Sequence, residues 1–489
     1  MTSTSDSIIR LVPATDGRVA SLVAVGGGAA SREAGSELPI RLAVAMATAA
    51  FAGTIVWHAT GTVLAFVPFG GVLAWLSWRD WRAGLVGSLI YSSVAGAVII
   101  WLAPSPWPHF IGDLAFIYPA YVGFLSRPLR RKAAQVAFPW FATVPFVLIV
   151  LLESMNPQID SALVPLLGIK VWLSYVPVFF LGRALIRTRR DLRGLLWALL
   201  TTSLPATLYG LYEFRLAQLG ELTEGTKYGT FAGGYIASQV DAGYFRISSL
   251  FSSSTQFDGY LFFTAVVGAA LLLLEDRRRR RWLAMALLVL VAINVGVTGD
   301  RKLYLTLPFA ALLFTLLERN RRRRVVAQIA TGTMIALAFL VLGAPLVLRV
   351  RSIRAVYEDR VQYASGAFET ALAHPLGIGT GQATDGTRYL NPNRIFLETL
   401  PSKTVMELGV LGLVALILFY GAVARASFKG ARRCSDSEVR SVATLFAVFV
   451  LAVMLSSLYG YQMDLDPLNV DTWLAAGLAA GLAVAKGGV

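Results

Sequence analysis

FDGYLFFTAVVGAALLLLEDRRRRRWLAMALLVLVAINVGVTGDRKLYLTLPFAALLFTLLERNRRRR, residues 257–324, alternates three apolar runs with two arginine clusters. The runs 257–274, 282–299 and 303–317 come close to the roughly 20 apolar residues a helix needs to cross a bilayer. Arg277 to Arg281 follow the first run, and Arg319 with Arg321 to Arg324 follow the third. Basic residues collect in the cytosolic loops of membrane proteins. Both clusters therefore belong on one face, and the VTGDRK turn on the other. The stretch reads as a spanning hairpin that leaves the cytosol, turns at Asp300, Arg301 and Lys302, and returns.

The rest of the chain repeats this pattern. Of its 489 residues, 56% are hydrophobic and 15% charged, and the mean hydropathy is +0.62. A soluble chain cannot hide that much apolar surface without leaving large exposed patches. Fourteen apolar runs are present: 40–57, 61–78, 84–103, 109–126, 134–152, 162–182, 194–212, 257–274, 282–299, 303–317, 325–345, 403–424, 440–458 and 469–486. The expected fold is all-α, a polytopic membrane helix bundle of about 14 spans. Residues 1–38, rich in Ser, Gly, Ala and Thr, read as a flexible cytosolic tail, and residues 39–486 as the transmembrane domain.

Loop charges orient the bundle. The clusters Arg79/Arg82, Arg127/Arg130/Arg131/Lys132, Arg187/Arg189/Arg190/Arg193 and Arg425/Lys429/Arg432/Arg433/Arg440 fall in alternate loops with the two above. The intervening short loops 104–108, 153–161 and 459–468 hold no Lys or Arg but do hold Glu153, Asp160, Asp464 and Asp466. Both termini and Cys434 are thus expected in the cytosol. The two long polar loops, 213–256 and the partly helical 346–402, are expected outside. The net charge of +15 needs no nucleic acid to explain it, because most of it sits in these clusters. One cysteine excludes an intramolecular disulfide framework. No HExxH, Walker loop or GxSxG stands in a plausible context, so neither a metal nor a nucleotide cofactor is expected.

Candidate site residues lie on the outer side. Arg301 opens a helix beside Asp300 in a turn too short for a solvated loop, where it either anchors the helix end or grips a phosphate at headgroup depth. Lys170 lies inside the run LVPLLGIKVWLSYVPVFFLG, about eight residues or 12 Å from one end, far for snorkelling and better suited to a water-filled cavity. Loop 346–402 carries Arg354, Arg360, Arg388 and Arg394 among acidic residues, either as solvated ion pairs or as guanidinium forks for phosphate. HPLGIGTGQ, 374–382, follows no strand and so is no dinucleotide loop; its glycines suit a tight turn, and His374 is a turn residue or a base. Glu398 and Glu407 are nine positions apart and are not expected to form a carboxylate pair.

Taken in order, four motifs resemble the superfamily of Wzy-type polysaccharide polymerases and O-antigen ligases. They are GIKVWLSYVP with its basic residue, FRISSLFSSSTQFDGYLFF after a long loop, TGDRKLYL with the RxxxL form, and HPLGIGTG closing on ELGVLGL. The resemblance covers roughly residues 160–486. It implies a metal-independent, inverting membrane glycosyltransferase. Such an enzyme joins undecaprenyl-diphosphate-linked oligosaccharides outside the cytosol, alongside a flippase and a chain-length regulator. Arg301 matches the RxxxL arginine and would bind the diphosphate, with Arg246 as its helper. Ligases carry a His-Asn pair before the GxxG; counting back from Gly409 and Gly412, those positions here are Glu398 and Thr399. With the histidine absent, polymerase is favoured over ligase, and Glu398 becomes the candidate catalytic base. A lipid-linked oligosaccharide flippase is the alternative from a different class.

Overall fold

In the computed structural model, helices occupy thirteen of the fourteen apolar runs, and the other, 325–345, lies almost wholly outside the described residues. The structure describes residues 37–97, 110–127, 138–159, 161–219, 244–298, 301–325, 372–384, 399–458 and 462–482, with a few short pieces elsewhere. The helices belong to one compact unit, Leu38–Val489. In chain order they are α1 Ile40–Thr60, α2 Val67–Arg79, α3 Trp81–Ala97, α4 Tyr118–Leu125, α5 Trp140–Glu153, α6 Leu163–Leu173 and α7 Val178–Leu185. There follow α8 Arg189–Leu219, α9 Ser254–Leu274, α10 Arg278–Val297, α11 Arg301–Leu317, α12 Leu400–Arg433, α13 Ser437–Ser456 and α14 Leu468–Gly481. A 3₁₀ turn, Val63–Phe66, precedes α2, and a π-helical turn, Gly112–Ile117, precedes α4. The all-α reading needs one small amendment, an antiparallel pair of two-residue strands, β1 Val240–Asp241 and β2 Tyr244–Phe245.

Local chemistry explains the boundaries. Ser253, Thr399 and Asp436 each accept a backbone N–H at the start of α9, α12 and α13, satisfying donors that a first helical turn leaves open. Gly61, left-handed at φ 67°, ends α1. Among the described residues, seven segments are long and apolar enough to cross a membrane: α1, α6–α7 together, α8, α9, α10, α12 and α13. Exposed faces of α12 and of the shorter apolar helices α5 and α11 agree. Phe141, Leu152, Leu305, Leu312, Leu316, Leu411 and Leu418 are each more than half exposed, an apolar coat that lipid covers and water does not tolerate.

The centre is built on small residues. Every residue of α14 is buried, and Gly477 and Gly182 bring α14 and α7 into backbone contact. A Cβ on Gly477 would lie 2.2 Å from Phe179 O. Close approach of this kind is how helices pack where lipid offers no hydrophobic drive.

The basic connections gather at one end of the bundle. Arg82 pairs with Asp191 at 3.0 Å, and Asp191 also accepts from Leu38 N and Arg187 N. Arg127 reaches Arg79 O, Arg193 pairs with Asp276, Arg189 pairs with Glu438, and Arg323 bonds Ser437 O. Loops that alternate in sequence thus meet in space, as alternating spans require.

Candidate functional site

Two helices are broken, and a charged centre lies at each break. α6 and α7 are separated at Ser174 to Pro177, where Pro177 has no N–H to continue the ladder. The carbonyls this frees find donors. Tyr121 Oη donates to Ser174 O at 2.6 Å and Asn469 Nδ2 to Val171 O at 3.2 Å. Non-helical backbone inside a bilayer persists only when buried in protein and satisfied in this way.

Lys170, one turn before the break, lies 2.9 Å from Asp113 Oδ2 and 3.6 Å from Asp466 Oδ2. Tyr175, in the break, places its Oη 2.8 Å from Asp113 Oδ1 and 2.7 Å from Asp466 Oδ2. Lys170, Tyr175, Asp113 and Asp466 thus form one polar cluster around the break. A cavity of about 50 Å³ adjoins this centre, lined by Asp113, Tyr175 and Asp466 with Ser88, Ser252 and Gln256 among others. Lys170 is thus paired with two carboxylates that line this cavity.

The second break is in α12 at Gly409, whose φ of 70° and ψ of −176° only glycine adopts readily. The HPLGIGTGQ turn docks on it. Val410 N donates to Pro375 O and Ile378 N to Met406 O, so the turn supplies the partners the broken helix lost. Gly377, at φ 97°, has room for no side chain, because its Cβ would sit 2.7 Å from Glu407 O. Glu407 is fully buried and accepts from Trp172 Nε1 at 2.8 Å, Ala383 N at 2.9 Å and Thr384 Oγ1 at 3.1 Å. Lys403 pairs with Asp464, both almost wholly buried, and lies over the Trp172 ring. Glu407 is thus a latch between α6, α12 and the turn.

A third set of contacts involves the chain neighbours of Arg246, Arg301 and Glu398. Ile247 N, next to Arg246, donates to Thr298 O at 3.1 Å, three residues before Arg301. Ser248 N and Ser249 N donate to the buried Glu213 carboxylate. A Cβ on Gly460 would lie 3.2 Å from Lys302 Nζ. Leu400 N, two residues after Glu398, lies 3.2 Å from both Ser457 O and Gly460 O. The chain neighbours of Arg246 and Arg301 thus meet at Thr298, and those of Arg301 and Glu398 meet at Gly460.

Arg246 is half-buried there. The side chain of Arg301 and the whole of Glu398, Arg354, Arg360, Arg388 and Arg394 lie outside the described residues. His374 opens the docked turn, its carbonyl accepting from Gly377 N, as a turn residue would. α12 begins at Leu400, so Glu398 precedes the helix that holds Glu407. Sequence reasoning missed Asp113, Tyr175 and Asp466 as partners of Lys170. Asp113 carried a signal, being an acidic residue inside an apolar run, and intramembrane charges come in opposite pairs. Among the described residues no cluster of His, Cys, Asp and Glu could hold a metal ion.

The chain matches no known protein family and no curated protein.

Proposed function

We propose that this chain is a membrane glycosyltransferase of the Wzy-type polymerase class, with fourteen spans, both termini cytosolic and its site on the outer side of a bacterial inner membrane. It joins undecaprenyl-diphosphate-linked oligosaccharides into an exopolysaccharide or O-antigen chain. The supporting observation is that 246–249 is tied to Thr298, while Lys302 and the start of α12 both meet the chain at Gly460. Arg246, Arg301 and Lys302 belong to these segments, and guanidinium forks suit a departing diphosphate, stabilising it by charge and geometry.

In this reading the diphosphate of the donor lies against Arg246 and Arg301. A hydroxyl at the non-reducing end of the acceptor attacks the anomeric carbon, and the lipid diphosphate leaves from the opposite face, inverting the configuration. The arginines act mainly in the transition state, when charge develops on the leaving oxygen. Arg301→Ala tests this in cells and in liposomes. Polymer should disappear while the protein remains in the membrane, and polymer at wild-type level sinks the reading.

A flippase for the same lipid-linked saccharides is the second reading. It is favoured by the two broken helices and the charged residue beside one of them, features that mark transport pathways in other membrane proteins. Movement of intact lipid donor across a liposome bilayer, without chain growth, would select it.

A further inference from the structure

We infer that Glu213 is a positioning residue, which anchors the turn after Arg246 to the ends of α8 and α10 and so holds that arginine ready for a lipid-linked diphosphate. The inference rests on the glycosyltransferase reading and adds to it a residue outside every motif of the resemblance.

Residues 247–251 cross the ends of three helices and are fixed to each. Ile247 N donates at 3.1 Å to the carbonyl of Thr298, the residue that closes α10. Ser249 N donates to Glu213 Oε2 at 2.6 Å and Ser248 N to Glu213 Oε1 at 3.4 Å, while Ser249 Oγ donates to Ala206 O. The turn is thus tied to α8 through both a carboxylate and a backbone carbonyl. On its third side it lies against α3, where a Cβ on Gly96 would sit 2.3 Å from Leu250 O and 2.5 Å from Phe251 Cα. The ends of α8 and α10 are neighbours because the helices pack closely one turn earlier. A Cβ on Gly210 would lie 2.5 Å from Asn294 Oδ1, and Glu213 and Thr298 each follow about one turn later.

Glu213 is the charged member of this anchorage. It is fully buried, and a carboxylate in such a place persists only where donors meet its charge. The turn supplies them as two successive backbone N–H groups, with Ser249 at a left-handed φ of 52°. A residue other than glycine keeps such a φ only where its surroundings over-determine it. Successive N–H groups in a turn make a concavity for an anion, and here the protein's own carboxylate fills it.

What the turn carries at its head is Arg246, half-buried. Its partner segment leads within three residues from Thr298 to Arg301. An arginine on a loose segment must be ordered when it grips a phosphate, and that ordering subtracts from affinity. With the next three residues held by Thr298 and Glu213, part of the cost is met before the ligand arrives.

The test measures binding of undecaprenyl diphosphate, the leaving group alone, to full-length protein in detergent micelles. Arg246→Ala should weaken binding about 10–10²-fold, the worth of a charge-assisted hydrogen bond. Glu213→Gln keeps the shape but sets an amide N–H₂ against one of the turn's N–H groups, and should weaken binding to a comparable degree. The double variant should bind no worse than Arg246→Ala, because Glu213 acts through Arg246. If Glu213→Gln does not fold, Gly96→Ala takes its place in the cycle, since it displaces the same turn from the side of α3 without touching a charge. Binding by the turn variant within threefold of wild type, or a loss that multiplies with that of Arg246→Ala, overturns the assignment. A wild-type protein that does not bind the lipid diphosphate, or Arg246→Ala that binds it as wild type does, overturns the diphosphate reading instead, and the assignment with it.

Discussion

Lys170→Met would remove the one cation of a buried centre that holds two carboxylates. Methionine keeps most of the volume, so the loss is electrostatic. Asp113 is 3% exposed and loses a partner at 2.9 Å, whereas Asp466 is 31% exposed and retains access to water. The penalty therefore falls mainly on Asp113. Removing one partner from a buried pair costs about 3–5 kcal/mol, because the other charge stays behind without compensation. Adding Asp113→Asn removes that stranded charge, and the double variant should regain about 1–3 kcal/mol, the coupling typical of residues in contact. Reversible unfolding of the four proteins in detergent micelles, followed by tryptophan fluorescence, measures the cycle. A single-variant loss below about 1 kcal/mol, or additive losses in the double variant, would refute the reasoning and place Lys170 at the lipid interface.

Gly409→Ala forces a side chain into a region of backbone space that costs about 1–3 kcal/mol for non-glycine residues, and its Cβ would meet Pro375 O at 2.4 Å. The HPLGIGTGQ turn should undock and become protease-sensitive; Gly421→Ala in the same helix, where a Cβ meets nothing within 4 Å, should leave digestion unchanged. Cys434 is 3% exposed, and burial pushes its thiol up to about 11, Arg440 opposing the shift, so it should resist impermeant maleimide on either side of the membrane. Ser435→Cys, exposed, in a Cys434→Ala background is the better probe: labelling should need permeabilised cells, and labelling of intact cells would reverse the orientation. Glu398→Gln should let unpolymerised lipid-linked units accumulate if that residue orients the acceptor, and chain lengths equal to wild type would leave it without a role in transfer.

The helices were legible in the sequence because apolar runs bounded by Pro, Gly, Ser and Arg carry their own start and stop signals. The basic end was legible too, since the positive-inside rule acts on local composition. What was not legible was pairing. Asp113, Lys170 and Asp466 come from three distant segments, and nothing local to one predicts the others. The break at Gly409 was hidden for the same reason. ELGVLG reads as helix, and only the carbonyl of Pro375, delivered by a loop from elsewhere, makes the break affordable. Glu407 lies near the start of the run 403–424 with nothing local to mark it, and is a buried latch because Trp172, Ala383 and Thr384 converge on it.

The seam between α7 and α14 has a consequence in time. α7 ends at Leu185 and α14 begins at Leu468, so the slot that Gly477 and Gly182 close stays open while some 280 residues are made. At roughly 5–20 residues per second that is about 15–60 s. During this interval α7 carries a groove of bare backbone inside the bilayer, and any ribosome that stalls before residue 468 leaves it exposed for the membrane's proteases to find.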